Sequence, residues 1–530
     1  MKKSLLLASV AAALALAGCG GGGVEGPGAE AAASVRPDRV DPQELRSAVT
    51  DERVRRFYEA RNWEAAWTRP AARELLTALQ EAPRHGLDAV PFLQETDGAE
   101  SPTAREAALT LAAVAYAEAL ATGVARPDEV NEIYTLPKPD ADVVAGLAQA
   151  IEAGQVGQWI AGLPPQDAEY RQLSEAYLRY RQLAAEGPQT QVSDEGGTIR
   201  AGDRDPRVPA IAEALRANGY LVEGAANGRE QPKQKQQQQA QPAQDAQLYT
   251  ERMAEAVARL QADYGIEEDG VVGPTTLQAL NTGPADRARI LAINLERRRW
   301  LDRNPPATRV DVNIPAAFMD YYHDGQPVHQ AKVMVGTAET VTPLLGSPIF
   351  QLVANPTWTV PKSIAERDIL PKGDSYLASN NMTINSDGWI VQASGPRNAL
   401  GQVKFDMKND HAIFLHDTPS KSLFAQSQRQ LSNGCVRVED AVGFARMLAS
   451  QHGRSAEFER ALSSGRESFV RLPEEIMVRM LYHTAYLDRS GNIVFRTDPY
   501  GWDEDLAQKL GVDARTQRRL RTPATIELGP

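Results

Sequence analysis

LHDTPSKSLFAQSQRQLSNGCVR, residues 415–437, decides how the whole chain is read. His416 closes an apolar run that starts at Ala412, so it sits at the end of a strand. Ser432-Asn433-Gly434 reads as a turn, and Cys435 follows it, 19 positions after His416. Glu439 and Asp440 then open a helix expected over 439–450. A cysteine attacks as its thiolate, which needs a base or a positive charge nearby. His416 can supply the base, and Arg437 the charge. Gly434 adds no bulk beside the thiol and lets the N–H groups of Gly434 and Cys435 point at a tetrahedral oxyanion. An inert buried thiol is the bland alternative for Cys435. For Arg437 it is an ion pair that merely fixes the loop.

Working outward, the composition removes several classes. The chain has 530 residues, enough for roughly three or four domains. Its formal net charge of −12 argues against nucleic-acid binding, which needs a basic face to displace counterions. Aromatic residues at 6% are too sparse for a platform that stacks single strands. With only Cys19 and Cys435, a disulfide framework and a multi-cysteine metal site are both excluded. His323 and His329 flank a turn and lack a third ligand, so no metal is expected there, nor any cofactor. His411 is a bystander.

The N-terminus reads as an export signal. Met1-Lys2-Lys3 precedes an apolar run from Leu5 to Ala17 broken only by Ser9, too short for the ~20 residues that span a bilayer. It ends Leu16-Ala17-Gly18-Cys19, which resembles a bacterial lipobox with Cys19 as the lipidated residue. Residues 1–18 are then a lipoprotein signal peptide and 19–41 a flexible Gly- and Ala-rich tether.

The remainder suggests a multidomain α+β chain. Residues 42–190 have helical patterning, with a candidate capping box from Thr103 to Glu106. His85 reads as a turn residue. Residues 206–282 form a second helical unit. Val208, Ile211, Ala212 and Leu215 share one helix face, and Met253, Val257, Leu260 and Tyr264 share another. Asp269-Gly270-Val271-Val272-Gly273-Pro274 then turns into a third helix with Leu277 and Leu280. The Gln-rich insert at about 228–247 lacks apolar residues and is expected to be disordered. From Thr308 the period changes to two, with a hairpin at Asp324-Gly325 and another at Ser490-Gly491. This mainly-β unit is expected over 308–505, followed by a C-terminal tail at 506–530.

The His416 and Ser432–Arg437 segments resemble the catalytic motif of YkuD-type L,D-transpeptidases, with Asn433 where many members have histidine. The 206–282 unit resembles a type 1 peptidoglycan-binding domain. Phe57-Tyr58, Arg61-Asn62-Trp63, Trp67, His85–Asp88, Asn355–Trp358, Gly395–Gly401 and Tyr500-Gly501 resemble the large YcbB-like branch, which adds a helical scaffold and a substrate-capping insertion, here about 361–407. The resemblance implies Cys435 as nucleophile, His416 as general base and acid, and Asp417 as the residue that orients His416. It also implies Gly434 at the oxyanion site and Arg437 as electrostatic support. Trp358, Asn398, Ser432 and Asn433 are the expected substrate contacts, the first two shaping the acceptor cleft or its lid.

The implied activity is attack on the L,D bond of a tetrapeptide stem, release of D-Ala, a thioester on Cys435 and a 3–3 cross-link between peptidoglycan stems. Water or a protein amine as acceptor would instead give a carboxypeptidase or an anchoring acyltransferase. A non-catalytic wall-binding lipoprotein is the third reading. Carbapenems are the expected covalent inhibitors. The expected place is the periplasm, held to a membrane, the outer one favoured, through the N-terminal lipid alone. Mass spectrometry of the native N-terminus is therefore expected to find a chain starting at diacylated Cys19. A soluble product with an unmodified N-terminus would contradict this.

Overall fold

The computed structural model describes residues 40–93, 101–187, 190–221 and 246–512. The signal segment, Cys19, most of the tether and nearly all of the Gln-rich insert lie outside them. Among the described residues no helix is long and apolar enough to cross a membrane.

The first unit is helical from Pro42–Ala48 to Ala168–Ala185. Asp41, Asp51, Thr68, Ser101, Asp142 and Asp167 each cap a helix by accepting backbone N–H groups from its first turn. The long helix Pro102–Thr122 buries residues on nearly every side and forms the centre of this core. Its N-cap is Ser101, whose Oγ accepts from Ala104 N at 3.1 Å, so the Thr103–Glu106 capping box does not form. Glu106 instead turns inward and accepts from Ala66 N at 2.5 Å and Tyr58 Oη at 3.1 Å. A capping carboxylate in solvent would gain less than one that satisfies two buried donors.

Helices Val208–Ala217, Glu251–Tyr264 and Pro274–Leu280 form the second unit, with the expected apolar faces buried. Gln261 ties its turn down: Gly270 N donates to Gln261 Oε1 at 2.8 Å, and Gln261 Nε2 donates to Asp269 Oδ1 at 2.8 Å.

Helix Pro284–Arg299 joins everything. Ile293 belongs to the core of the first unit, and Ile290, Leu291 and Leu295 to that of the second. It also buries charge. Glu296 and Arg299 pair with both side chains fully buried. The pair is satisfied on all sides. Arg299 donates to His85 O at 2.8 Å and Tyr170 Oη at 2.9 Å, and Glu296 accepts from Ala125 N at 2.8 Å. Arg297 pairs with buried Asp503 in helix Trp502–Lys509. Leu506, Ala507 and Leu510 pack into the first core, so residues 506–510 are a structural anchor and not the beginning of a tail.

The third unit is a nine-stranded sheet ordered β10-β3-β11-β9-β8-β4-β12-β1-β2, and a further β2–β3 pairing closes it into a barrel. Its strands are β1 Arg309–Asn313, β2 Phe318–His323, β3 Gln326–Gly336, β4 Gly346–Ala354, β8 Val403–Met407, β9 Leu415–His416, β10 Gln430–Ser432, β11 Val436–Val438 and β12 Ser468–Leu481. The hairpin β13 Ala485–Leu487 and β14 Ile493–Phe495 stands apart. Alternate residues Val333, Val335, Val403, Phe405, Leu415, Val436 and Val438 fill the barrel. The strand expected from Ala412 is shorter, because Ala412 has φ +54° and bends the chain before Leu415. Helix Ala441–Gln451 covers one wall, and a second helix, Ser455–Ser463, follows it.

The insertion between β4 and β8 carries its own three-stranded sheet, ordered β5-β7-β6, with β5 Trp358–Thr359, β6 Met382–Ile384 and β7 Ile390–Gln392. Its core includes Trp358, Val360, Ile369, Met382, Ile390 and Leu400. The expected boundary of 361–407 is thus displaced. The subdomain core begins at Trp358, and residues 403–407 are barrel strand β8, paired with β4 and β9. Removing one partner of a buried ion pair strands the other. Glu296→Ala is expected to destabilise the chain by about 3–5 kcal/mol, read as a drop in denaturant midpoint. A loss under about 1 kcal/mol would mean that Arg299 finds solvent.

Candidate active site

Strand register assembles the site. His416 in β9 faces Lys404 in β8 and Arg437 in β11, and Arg437 faces Met334 in β3. Cross-strand partners point to the same side, so these four side chains form one rung on the outer wall of the barrel. The segment between β9 and β10 covers that rung, with Phe424 and Leu431 packed on Met334. Buried Arg429 pins this segment by donating to Gln426 O at 2.7 Å and Ala317 O at 3.1 Å.

His416 is fully buried, and its Nδ1 lies 2.5 Å from Asp417 O. A carbonyl only accepts, so Nδ1 carries the proton and Nε2 is the basic nitrogen. Orientation thus comes from the Asp417 backbone. The Asp417 carboxylate is occupied elsewhere, accepting from Gln402 N at 2.8 Å and from Lys421 Nζ. Phe414 meets the imidazole edge-on at 5.6 Å.

Cys435 immediately precedes β11, is 6% exposed, and donates its thiol proton toward Ala412 O at 3.6 Å. Burial pushes its pKa up to about 11, against the pull of a backbone donor at Phe414 and the charges of Lys404 and Arg437. Burial likewise pushes Arg437 down to about 10, with the Cys435 thiolate opposing. Two cations therefore support the thiolate, where the sequence pointed to one. Lys404 was missed, although the alternation Val403-Lys404-Phe405 carried the signal.

The loop before Cys435 is braced by hydroxyls. Ser432 Oγ donates to Cys435 O at 2.5 Å and accepts from Gly434 N at 3.2 Å. Thr340 Oγ1 donates to Ser432 O at 2.9 Å, and Thr342 Oγ1 to Gly434 O at 2.8 Å. Tyr500 Oη donates to Gly336 O at 2.8 Å and accepts from Thr342 N at 3.2 Å, bringing the chain's end to the site. Two expectations change. Ser432 is fully buried in this brace rather than turned to a substrate. The Gly434 N–H is engaged by Ser432, so it is not poised for an oxyanion in this conformation. Glycine is required there by backbone shape: φ is +110°, while an added Cβ would meet nothing closer than 3.4 Å.

Trp358 and Asn398 are both buried. Trp358 is 4% exposed within the insertion's core. Asn398 is 1% exposed and holds a turn, donating to Ala393 O at 3.0 Å and accepting from Leu400 N at 2.8 Å. Neither contacts the Cys435 loop through these bonds. Asn433 does face the insertion, accepting from Arg367 Nη2 at 2.6 Å. No cluster of three or more His, Cys, Asp or Glu among the described residues could hold a metal ion.

Gly401 controls His416 indirectly. Its φ is +63°, and an added Cβ would fall 2.4–2.5 Å from the Asp417 side chain. Gly401→Ala is expected to push Asp417 away and carry the carbonyl that orients His416 with it. Activity should fall on the order of 100-fold, as for a roughly 1 Å misplacement, in a protein that still melts cooperatively. Unchanged turnover would show that the Asp417 brace is dispensable.

Residues 307–454 match the YkuD family, "L,D-transpeptidase catalytic domain". Residues 52–176 match "Scaffold domain", and residues 204–280 match "Putative peptidoglycan binding domain". A Haemophilus influenzae protein called "Putative L,D-transpeptidase" is 33% identical over 219 residues, covering 37% of this chain and 44% of that protein. The chain thus spans less than half the length of that relative. Among solved structures, an L,D-transpeptidase from Xylanimonas cellulosilytica is 15% identical with a TM-score of 0.18, covering 54% of this chain and 99% of that one. L,D-transpeptidase 3 from Mycobacterium tuberculosis, solved with a faropenem-derived adduct, is 13% identical with a TM-score of 0.18, covering 33% and 60%. The peptidoglycan-associated domains point to a periplasmic or cell-wall location. A barrel with His416 on β9 and Cys435 just before the neighbouring β11, a helical unit and a three-helix unit lie where these matches fall: residues 307–454 are similar to YkuD L,D-transpeptidase catalytic domains, residues 52–176 to scaffold domains and residues 204–280 to peptidoglycan-binding domains.

Proposed function

We propose that this protein is a peptidoglycan L,D-transpeptidase that forms 3–3 cross-links through a thioester on Cys435. The observation that carries the reading is the rung of Lys404, His416 and Arg437 on three adjacent strands beside the Cys435 thiol. Such a rung supplies a base of fixed tautomer and two cations where a sulfur anion must form.

The thiol proton passes to His416 Nε2 as sulfur attacks the carbonyl of the stem's L,D bond. The imidazolium then protonates the departing D-Ala nitrogen, leaving a thioester and a neutral imidazole. The side-chain amine of a second stem attacks, loses its proton through His416, and restores the thiol. With a pKa near 11, Cys435 is thiolate on the order of one part in 10⁴ at neutral pH. A preformed thiolate therefore contributes little, and catalysis depends on transfer to His416. The peptidoglycan-binding unit would hold the enzyme on the wall, with a lipid on Cys19 tethering it to a membrane, the outer one favoured. Water or a protein amine could use the same thioester, so the products of tetrapeptide muropeptides identify the acceptor. A non-catalytic wall-binding role would leave this rung without a use.

Cys435→Ser is expected to be almost inactive, because a hydroxyl is a far weaker acid than a thiol. His416→Ala should lose several orders of magnitude in acylation. Its residual rate should rise about tenfold per pH unit between pH 7 and 9, because a raised thiol pKa means that each unit of pH yields tenfold more thiolate. A carbapenem should add one drug mass per wild-type chain and none to Cys435→Ala. Intact-mass measurement decides this, and an adduct that persists on Cys435→Ala would move the nucleophile elsewhere.

A further inference from the structure

The mechanism above leaves one feature of the nucleophile's surroundings unused. Arg367 lies in the insertion, in a widened helical turn over Ala365–Ile369 of the π type, a distortion frequent at functional sites. Its Nε and Nη2 donate to the two Asp368 carboxylate oxygens at 2.9 and 2.6 Å, and Nη2 also donates to Asn433 Oδ1 at 2.6 Å. Asp368 is 6% exposed at its side chain, whereas Arg367 is 48% exposed. One edge of the guanidinium is thus fixed by a buried carboxylate and by the loop of the nucleophile. Nη1 makes no hydrogen bond among the described residues.

A surface ion pair that served only the insertion's stability would have no reason to reach Asn433, two residues before Cys435. A guanidinium clamped along one edge, with both N–H groups of Nη1 left over, is suited to a second anion, because charge-assisted N–H donation to a carboxylate is strong. The reaction places such an anion nearby. With the scissile carbonyl at the sulfur, the carboxylate of the departing residue lies one residue further on, within about 4–5 Å of that carbonyl.

We infer that Arg367 is a specificity residue that recognises the C-terminal carboxylate of the donor stem peptide, selecting stems that end one residue past the scissile bond. This rests on the transpeptidase reading above and adds to it the group that selects the donor. Binding that carboxylate while Nη2 stays on Asn433 would hold the insertion against the nucleophile loop, so that a correct donor also fastens the lid. Lysine at this place could keep the charge but not the planar set of donors that holds Asp368 and Asn433 while Nη1 points elsewhere.

The test compares a stem tetrapeptide with its C-terminal carboxamide, which keeps the scissile bond and removes the negative charge. Acylation of Cys435 is followed by intact mass, and kcat/KM is taken for each donor. The wild type should prefer the acid on the order of 30–100-fold. Arg367→Gln should bring the ratio close to 1, chiefly through the acid donor's KM, and Arg367→Lys should keep part of the preference. Comparing this ratio between wild type and variant cancels any difference in leaving-group basicity between the donors. A thermal melt shows whether each variant folds. If the wild type acylates with both donors equally, or if Arg367→Gln keeps the full preference, the inference is overturned while the transpeptidase reading stands. If neither donor acylates the wild type, it is the transpeptidase reading that fails.

Discussion

Glu296 and Arg299, paired without solvent on one helix, hold the architecture together. A buried ion pair is favourable only when its remaining donors and acceptors are met. Here they are met from outside the helix: by His85 O and Tyr170 Oη for the arginine, and by Ala125 N for the glutamate. The pair therefore requires that the scaffold be folded against helix Pro284–Arg299. Between them in the sequence, Arg297 makes the same demand of Asp503, and so of helix Trp502–Lys509. Arg287 extends it to the peptidoglycan-binding unit and the β13–β14 hairpin, lying 5.1–5.8 Å from the rings of Tyr180, Tyr220, Tyr264 and Phe495. Three units that could have been beads on a string become one cooperative body.

That body reaches the active site through few residues. Tyr500 lies just before the C-terminal helix and grips Gly336 and Thr342, which brace the backbone before Cys435. The nucleophile loop is thus supported from the same end of the chain that Arg297 anchors. The opposite side of the loop is met by the insertion through Arg367. Cys435 sits between a rigid brace and a subdomain with a separate core, an arrangement that allows substrate to enter by moving the insertion while the barrel stays still.

The site also shows why burial and reactivity coexist. Burial raises the thiol's pKa and so keeps the resting cysteine in its less nucleophilic form. Lys404 and Arg437 oppose that rise without cancelling it. A thiol held protonated is protected from oxidation outside the cytoplasm, since the thiolate is the oxidisable form. In the proposed mechanism it becomes reactive when His416 takes the proton, and Asp417 O keeps Nδ1 from being that acceptor.

Much of this was legible in the residues. The order His416, Gly434, Cys435, Arg437 suggested the chemistry proposed above, because few side chains can make and stabilise a thiolate. Period-two alternation placed β1 and the Asp324-Gly325 hairpin, and the i, i+3, i+4 spacing placed the faces of the second unit, because both patterns are local consequences of backbone geometry. What the sequence could not decide was partnership across distance. Thr103–Glu106 looked like a cap until Ala66 N and Tyr58 Oη claimed Glu106. Residues 506–510 looked like a tail until the scaffold core supplied a surface for Leu506 and Leu510. Trp358, Asn398 and Ser432 read as substrate contacts in the sequence, and only the structure shows that all three are buried. Lys404 entered the site only through its register opposite His416, and Arg367 only through its reach to Asn433. Local propensity and chemical type are properties of neighbouring residues and are written in the sequence. Register, burial and the partner of each buried charge depend on which distant segments meet, and only the tertiary structure decided those.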